Sequence, residues 1–404
     1  MDTRSLDLAD KTYRTDPFPT YRMLRTEHPV HFLPEYTSEG EDVYMLSRYH
    51  DVNNALKNTN MYSSHVRRDD YLDLPMMVNR DAPDHRRMRH YTNQALNARR
   101  ITSMAPWIRE LVGELVGEVL SSDRVEFVEG YSTMLPLRVI SVLLGVPLDR
   151  RRDLRRWSQA VMDFFSVAAG LNPDEVPGFF EDLVEFGNYI EEQAQARENN
   201  LTDDVLSKLV EGQLAGELTK DELIATGWSF VAAGHETTMN LLGGGILLLT
   251  QRHDLRAALR NDPSQLGDFI EEYLRLYSPT QWTARRAVVS HTLHGIDIPE
   301  GALVHVLLGS ADRDETVFHD PDEFKLGRST EEKHLAFGGG PHFCPGAALS
   351  RVMAEETFAQ WLPHLDRLHV DPADPPRLRE RQGSFGYAYL PFVVSHATAD
   401  EVSV

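Results

Sequence analysis

Along this chain apolar positions recur at helical spacing more often than they alternate. After Asp16-Pro17-Phe18-Pro19, Tyr21 and Leu24 mark a short helix that runs into an extended stretch, His28-Pro29-Val30-His31-Phe32. Val43-Tyr44-Met45-Leu46 reads as the return strand of a hairpin, and Tyr49 to Lys57, carrying Val52 and Leu56, as a helix. From Asn58 to Arg80 the periodicity is weak, and Leu72, Leu74, Met76 and Met77 fit a mobile lid over a pocket. Asp81-Ala82-Pro83-Asp84-His85 opens the next helix, with acids and a proline at its start. Amphipathic helices then follow from Met104 to Glu211, broken at Val146-Pro147, Asn172-Pro173 and Val176-Pro177-Gly178, with no repeat or disordered linker between them.

Leu223 to Leu249 holds only His235 and Glu236 as formally ionisable residues. At about 1.5 Å per residue this run predicts a helix roughly 40 Å long, enough to cross a bilayer. Gly234-His235-Glu236-Thr237-Thr238 puts a polar group at its middle, which favours the buried axis of a large globular molecule instead. Gly243-Gly244-Gly245 costs about 1 kcal/mol per residue against Ala in a helix and predicts close packing there. Further helices are predicted over Asp268 to Leu276 and Gly346 to Glu355, and Gly383 to Pro391 reads as a turn between strands.

Composition narrows the class. A length of 404 residues allows two or three domains, and 41% hydrophobic with 25% charged residues describes an ordinary globular chain. The net charge of -21 argues against nucleic acid or an anionic membrane surface as main partner. A single cysteine rules out an intramolecular disulfide, and the polar MDTRSLDLADKTYR start shows no apolar export segment, so a cytoplasmic location is expected. The sequon Asn200-Leu201-Thr202 carries no weight without a secretory signal.

The one cysteine, Cys344, lies in HLAFGGGPHFCPGAALSR, His334 to Arg351. Gly338, Gly339 and Gly340 let the backbone approach a flat ligand, Pro341 limits the loop, and the helix after Gly346 favours a thiolate at its N-terminus. A zinc centre needs about four ligands, and Cys344 with His342 and His334 supplies three at most. A dinucleotide loop fails because Phe343 stands where the third glycine is required. His235-Glu236 opens a zinc-protease pattern, but Met239 occupies the second histidine position.

Phe337, Gly338, Gly340, His342, Cys344 and Gly346 fill F-G-x-G-x-H-x-C-x-G, which resembles the haem-binding loop of the cytochromes P-450. The resemblance implies Cys344 as the axial thiolate of haem b (iron protoporphyrin IX), with Phe337 packed against the ligand loop. His85 and Arg89, four apart, resemble the family's H-x-x-x-R pair, in which both side chains contact a haem propionate, and His342 of the ligand loop is a further cofactor-binding residue. Arg285, rather than Arg286, is the corresponding propionate contact after the long helix. Ala233-Gly234-x-Glu236-Thr237 resembles A-G-x-[DE]-T, in which the small residues lie over the haem, Thr237 relays protons to dioxygen and Glu236 is its acid partner. Glu272 and Arg275 match E-x-x-R, completed by Arg328 into an ion network behind the ligand loop.

The resemblance covers nearly the whole chain and implies a mainly α (α+β) fold: one helix-rich domain over 1–404 with small antiparallel sheets and a β-rich N-terminal lobe at about 28–60. It implies a monomeric monooxygenase inserting one oxygen atom from O2 into a small or medium-sized, mostly apolar molecule. Pocket candidates are Phe164, Phe165, Met76, Met77, Trp282, Phe385 and Tyr387, and an inward Arg67 or Arg68 would favour a carboxylate-bearing substrate. No reductase domain fits in this length, so electrons are expected from a separate ferredoxin or flavodoxin. Arg86 and Arg87, in an acid-free stretch from His85 to Arg109, are the expected docking cations. A peroxide-driven oxygenase is a rival, opposed by the acid-Thr pair; a non-catalytic haem sensor is another, opposed by the complete relay motif.

Overall fold

The computed structural model describes residues 11–37, 40–66, 74–147, 150–168, 174, 176–329, 331–380 and 383–396. Its first part is α1 (Lys11–Thr15), α2 (Phe18–Glu27), β1 (Val30–Leu33), β2 (Val43–Leu46), α3 (Tyr49–Lys57) and β3 (Tyr62–Ser63). The helical part follows as α4 (Asp84–Ala95), α5 (Ala98–Leu120), β4 (Arg124–Glu126), α6 (Met134–Leu144), α7 (Arg151–Ala168), α8 (Phe179–Arg197), α9 (Val205–Leu214) and α10 (Lys220–Gln251). Next come α11 (His253–Asn261), α12 (Leu266–Leu276), β5 (Thr283–Ala287), β6 (His291–Leu293), β7 (Ile296–Ile298), β8 (Leu303–Val306) and α13 (Leu308–Ala311). The chain closes with α14 (Ala347–Trp361), β9 (Leu368–Val370), β10 (Arg377–Leu378), β11 (Tyr387–Tyr389) and β12 (Pro391–Val394).

α10 is the axis. Thr219 caps it reciprocally: its hydroxyl accepts from Glu222 N at 3.2 Å while the Glu222 carboxylate accepts from Thr219 N at 2.9 Å. This capping box starts the helix ahead of the apolar run that the pattern picked out. α6, α7, α8, α9, α12 and α14 all pack on it, which accounts for its apolar circumference; no described helix is long and apolar enough to cross a membrane.

The triple glycine has a packing cause. A Cβ on Gly244 would overlap the Tyr273 hydroxyl of α12, one on Gly245 the Phe358 ring of α14, and one on Gly243 would reach 3.0 Å from Ser132 Oγ. Three neighbours therefore close directly onto the α10 backbone.

β1 and β2 form the expected hairpin, but their sheet runs β1-β2-β8-β5-β3 and draws two strands from 283–306. The β-rich lobe thus extends beyond 28–60 in sequence. The sheets are small and antiparallel as expected, and among the described strand pairs only β2 with β8 is parallel. Every residue of β2 is buried, so no alternating pattern could disclose its second neighbour.

Candidate functional site

Cys344 stands between a tight loop and the start of α14. Its N–H donates to Phe337 O at 2.9 Å, closing the loop on itself. Gly340 is indispensable here: its φ is +62°, and a Cβ would run into Leu56 O at the end of α3. Burial pushes the Cys344 thiol pKa up, outweighing the Gly346 and Ala347 N–H groups and the charges of Arg89 and Arg351 that work downward. The helix N-terminus, expected to yield a thiolate, does not suffice alone; a coordinating metal ion would deprotonate the thiol outright.

Around this loop the structure brings together groups that lie far apart in sequence. The His85 and His342 rings are 4.0 Å apart between centroids. His85 is buried, and its Nε2 has no hydrogen-bond partner among the described residues. Burial is the first cause lowering both imidazole pKa values; His342 falls to about 3, helped by His85 and Arg285. Arg285, on β5, is buried with a pKa lowered by desolvation to about 10, and its side chain donates to Ala284 O at 2.7 Å. Arg89 reaches Phe343 O at 2.6 Å and Asn93 Oδ1 at 3.0 Å. None of these four side chains makes a hydrogen bond to a carboxylate among the described residues; Asp81, held by Ser64 N at 3.0 Å, acts on His85, His342 and Arg285 only through space.

On α10, Ala233 is exposed and Thr237 half-buried in a helix otherwise mostly enclosed. Thr237 Oγ1 donates to Ala233 O at 2.7 Å. Gly234 differs from expectation: its missing Cβ would come within 2.8 Å of Ile140 Cδ1 on α6, so its smallness serves helix packing. Glu236 is buried and accepts from Ser384 Oγ at 2.8 Å, turned about 100° around the helix from Thr237.

The ion network forms as the spacing suggested. Glu272 accepts from Arg275 Nε at 2.8 Å and Arg328 Nε at 2.9 Å, and Arg275 ties down Asp312 O and Pro321 O. Burial raises the Glu272 pKa, but Arg275 and Arg328 hold it below the ordinary range. Sequence reasoning missed a second network: Arg351 binds Glu271 at 2.7 and 2.8 Å, lies 4.5 Å over the Phe337 ring, and shares Glu271 with His334 at 3.1 Å. The doublet Glu271-Glu272 was the only available signal.

Several pocket candidates are engaged in packing contacts. Met76 and Phe164 are enclosed in the main core, where adjacent helices fill their surroundings. Trp282 stacks on buried His305 at 4.1 Å, and Phe385 lies between Phe18 at 5.2 Å and Tyr277 at 6.0 Å. Met77 and Tyr387 are half-buried at the edge of the core. Arg67, Arg68, Leu72 and the Phe165 side chain lie outside the described residues. Of the docking pair, Arg87 is engaged by Glu222 at 2.6 Å and Asp84 at 2.9 Å, while Arg86 is exposed.

A lone loop thiol, two neutral imidazoles and two desolvated guanidiniums fit a flat dianionic metal macrocycle held by a thiolate, the donor set of a haem-thiolate protein. The cytochrome P-450 family model matches residues 33–266 and 265–395. Cytochrome P-450 107B1 of Saccharopolyspora erythraea is 35% identical over 390 residues, 92% of this chain and 93% of the relative. The vitamin D(3) 25-hydroxylase of Pseudonocardia autotrophica is 33% identical over 364 residues, covering 87% and 86%. The solved structure of the cytochrome P-450 BioI, in complex with an acyl carrier protein carrying hexadec-9Z-enoic acid, aligns at TM-score 0.86 with 29% identity over 95% of this chain and 100% of that one. The chain belongs to the cytochrome P-450 family; it is a monooxygenase of mainly α fold that binds haem b.

Proposed function

We propose that the chain, folded as one P-450 domain in the cytoplasm, inserts one oxygen atom from O2 into a small or medium-sized, mostly apolar substrate, using electrons from a separate ferredoxin or flavodoxin. The observation that carries this reading is the corner where His85, Arg89, Arg285 and His342 meet beside the Cys344 loop with no carboxylate hydrogen-bonded to them among the described residues. Haem b, when bound, supplies the iron at which dioxygen is activated. Cys344 Sγ would ligate its iron, His85, Arg89, Arg285 and His342 would donate hydrogen bonds to its propionates, and Phe337 and Gly338 would shape the loop that presents the thiolate. Ala233 leaves room on the open face of α10. The Thr237 hydroxyl holds the proton to be relayed, and Glu236, anchored by Ser384, resupplies it from the helix flank. An apolar substrate is supported by the relative named for vitamin D(3) and by the fatty acyl cargo in the BioI complex.

The electron donor meets the Cys344 side of the molecule. Exposed Phe343 provides an apolar centre there. Arg86 and Arg99 are the exposed cations of the stretch from His85 to Arg109 that have no ion-pair partner among the described residues, whereas Arg87, Arg100 and Arg109 pair with Glu222, Asp203 and Glu356. An acidic donor would be steered to them, with affinity falling as salt rises.

The test is the ferrous carbon monoxide spectrum. The parent is expected to show the band of thiolate-ligated haem, and Cys344→Ser to lose it. A parent-like band in Cys344→Ser would overturn the assignment.

A further inference from the structure

Helix α10 has a second functional flank. His235 and Met239 stand about 160° around the helix from Ala233 and Thr237. They line a cavity of about 340 Å3 enclosed by α7, α10 and the segment carrying Arg379. Its wall joins apolar Met162 and Met239 to a cluster of arginines on α7 and at Arg379. Two of those arginines are neutralised locally: Arg155 pairs with Glu129, and Arg156 with Asp182 and Glu185. Arg379 is not: its Nε is buried and has no hydrogen-bond partner among the described residues. Arg152 is exposed at the cavity's edge, with no ion-pair partner among the described residues.

His235 supplies an independent sign of a missing ligand. It is buried, Ser158 Oγ holds its Nδ1 at 2.8 Å, and Nε2 has no partner. Burial, followed by the charges of Arg379 and Arg155, lowers its pKa to about 3, so the ring is neutral. In the tautomer in which the Ser158 hydroxyl donates to Nδ1, Nε2 carries the hydrogen that an anion would accept. A buried donor and a buried guanidinium nitrogen left open beside one cavity are costly unless something occupies it.

We propose that this cavity is a second ligand site that takes a small amphiphilic carboxylate, its charge held between Arg379 and His235 Nε2 and its apolar end against Met162 and Met239. Arg152 draws the anion in from solvent. Glu236 shares the same wall, so the bound carboxylate places a like charge next to the carboxyl group that faces Ser384. The site is thereby coupled to α10 without touching the haem face.

The experiment uses the holoenzyme with the iron saturated by a tight azole, titrated calorimetrically with hexanoate and, separately, with hexanol. One hexanoate per chain is expected to bind, with hexanol giving no heat. Affinity should fall roughly tenfold or more in Arg379→Ala and about threefold in Arg152→Glu, as for loss of one partner of a charge pair. Arg152 is exposed, so Arg152→Glu decides the matter if Arg379→Ala does not fold. Absence of hexanoate binding, equal affinity in parent and Arg152→Glu, or equal binding of hexanol would overturn the proposal. So would displacement of the azole seen in the Soret band, which would place hexanoate on the haem side.

Discussion

Replacing Gly244 by Ala puts the packing of α10 to a quantitative test. In an unobstructed helix interior this change stabilises by about 1 kcal/mol. At Gly244 the new methyl group would overlap the Tyr273 hydroxyl. Tyr273 is buried, and its ring is held between Phe269 at 6.4 Å and Tyr277 at 5.2 Å, so it cannot swing clear. Displacing a packed ring costs about 1–3 kcal/mol, which leaves Gly244→Ala less stable than the parent by up to about 2 kcal/mol once the propensity gain is subtracted. Gly267, on α12, is the internal control, because nothing lies within 4 Å of its Cβ position. Gly267→Ala should be neutral or more stable by up to about 1 kcal/mol. Urea unfolding followed by circular dichroism measures both, read as midpoint shifts at constant slope. If Gly244→Ala unfolds at or above the parent's midpoint, the close contact is not what selects glycine there.

Other outcomes follow from the site. Thr237→Ala should retain haem and substrate affinity while releasing more reducing equivalents as hydrogen peroxide; unchanged coupling of reductant to product would remove Thr237 from the relay. Arg86→Glu with Arg99→Glu should slow the first electron transfer at low salt and flatten its salt dependence, at unchanged haem content; stopped-flow rates equal to the parent's at every ionic strength would rule this surface out. Glu271 has burial working to raise its pKa, but Arg351 and His334 prevail and hold it at about 2. Its contribution to stability is therefore full above the ordinary glutamate range and is lost as pH falls from there towards 2. Glu271→Gln should be less stable near neutrality and show a smaller further loss over that acid window in thermal melts; a pH profile parallel to the parent's would contradict the pairing.

How much was legible in the chain depended on whether a feature was local. Helix α3, the β1–β2 hairpin and the core of α10 showed through because apolar spacing and flanking prolines are properties of neighbouring residues. The start of α10 was missed by a few residues: the capping box lies in a polar segment where apolar periodicity is silent. The parallel β2–β8 pairing joins residues some 260 positions apart, and no local pattern encodes it. The glycine triplet was visible as an anomaly, yet its cause resides in Tyr273, Phe358 and Ser132. Arg87 shows the same limit from the other side: six arginines without an acid between His85 and Arg109 look like a free basic surface, but Glu222, on α10, neutralises one of them.

The site's electrostatics carry that reasoning one step further. Sequence placed Cys344 before a helix and so suggested a thiolate, and the Gly346 and Ala347 N–H groups do act in that direction. Burial acts more strongly in the other, and it also weakens the hold of Arg285 on its proton and keeps His85 and His342 neutral. Desolvated cations and a thiol in one corner destabilise the fold unless anions arrive to meet them. On the proposed assignment, two propionates and a metal-bound thiolate provide those anions together, so each donor's unfavourable burial is offset by the same ligand. Cofactor affinity and the stability of the Cys344 loop then become one linked quantity, since any ligand that binds the folded chain alone adds its binding free energy to folding. Neither the helix N-terminus nor the arginines would be sufficient separately; their convergence on one loop, from α4, β5 and the segment before α14, makes the donor set specific.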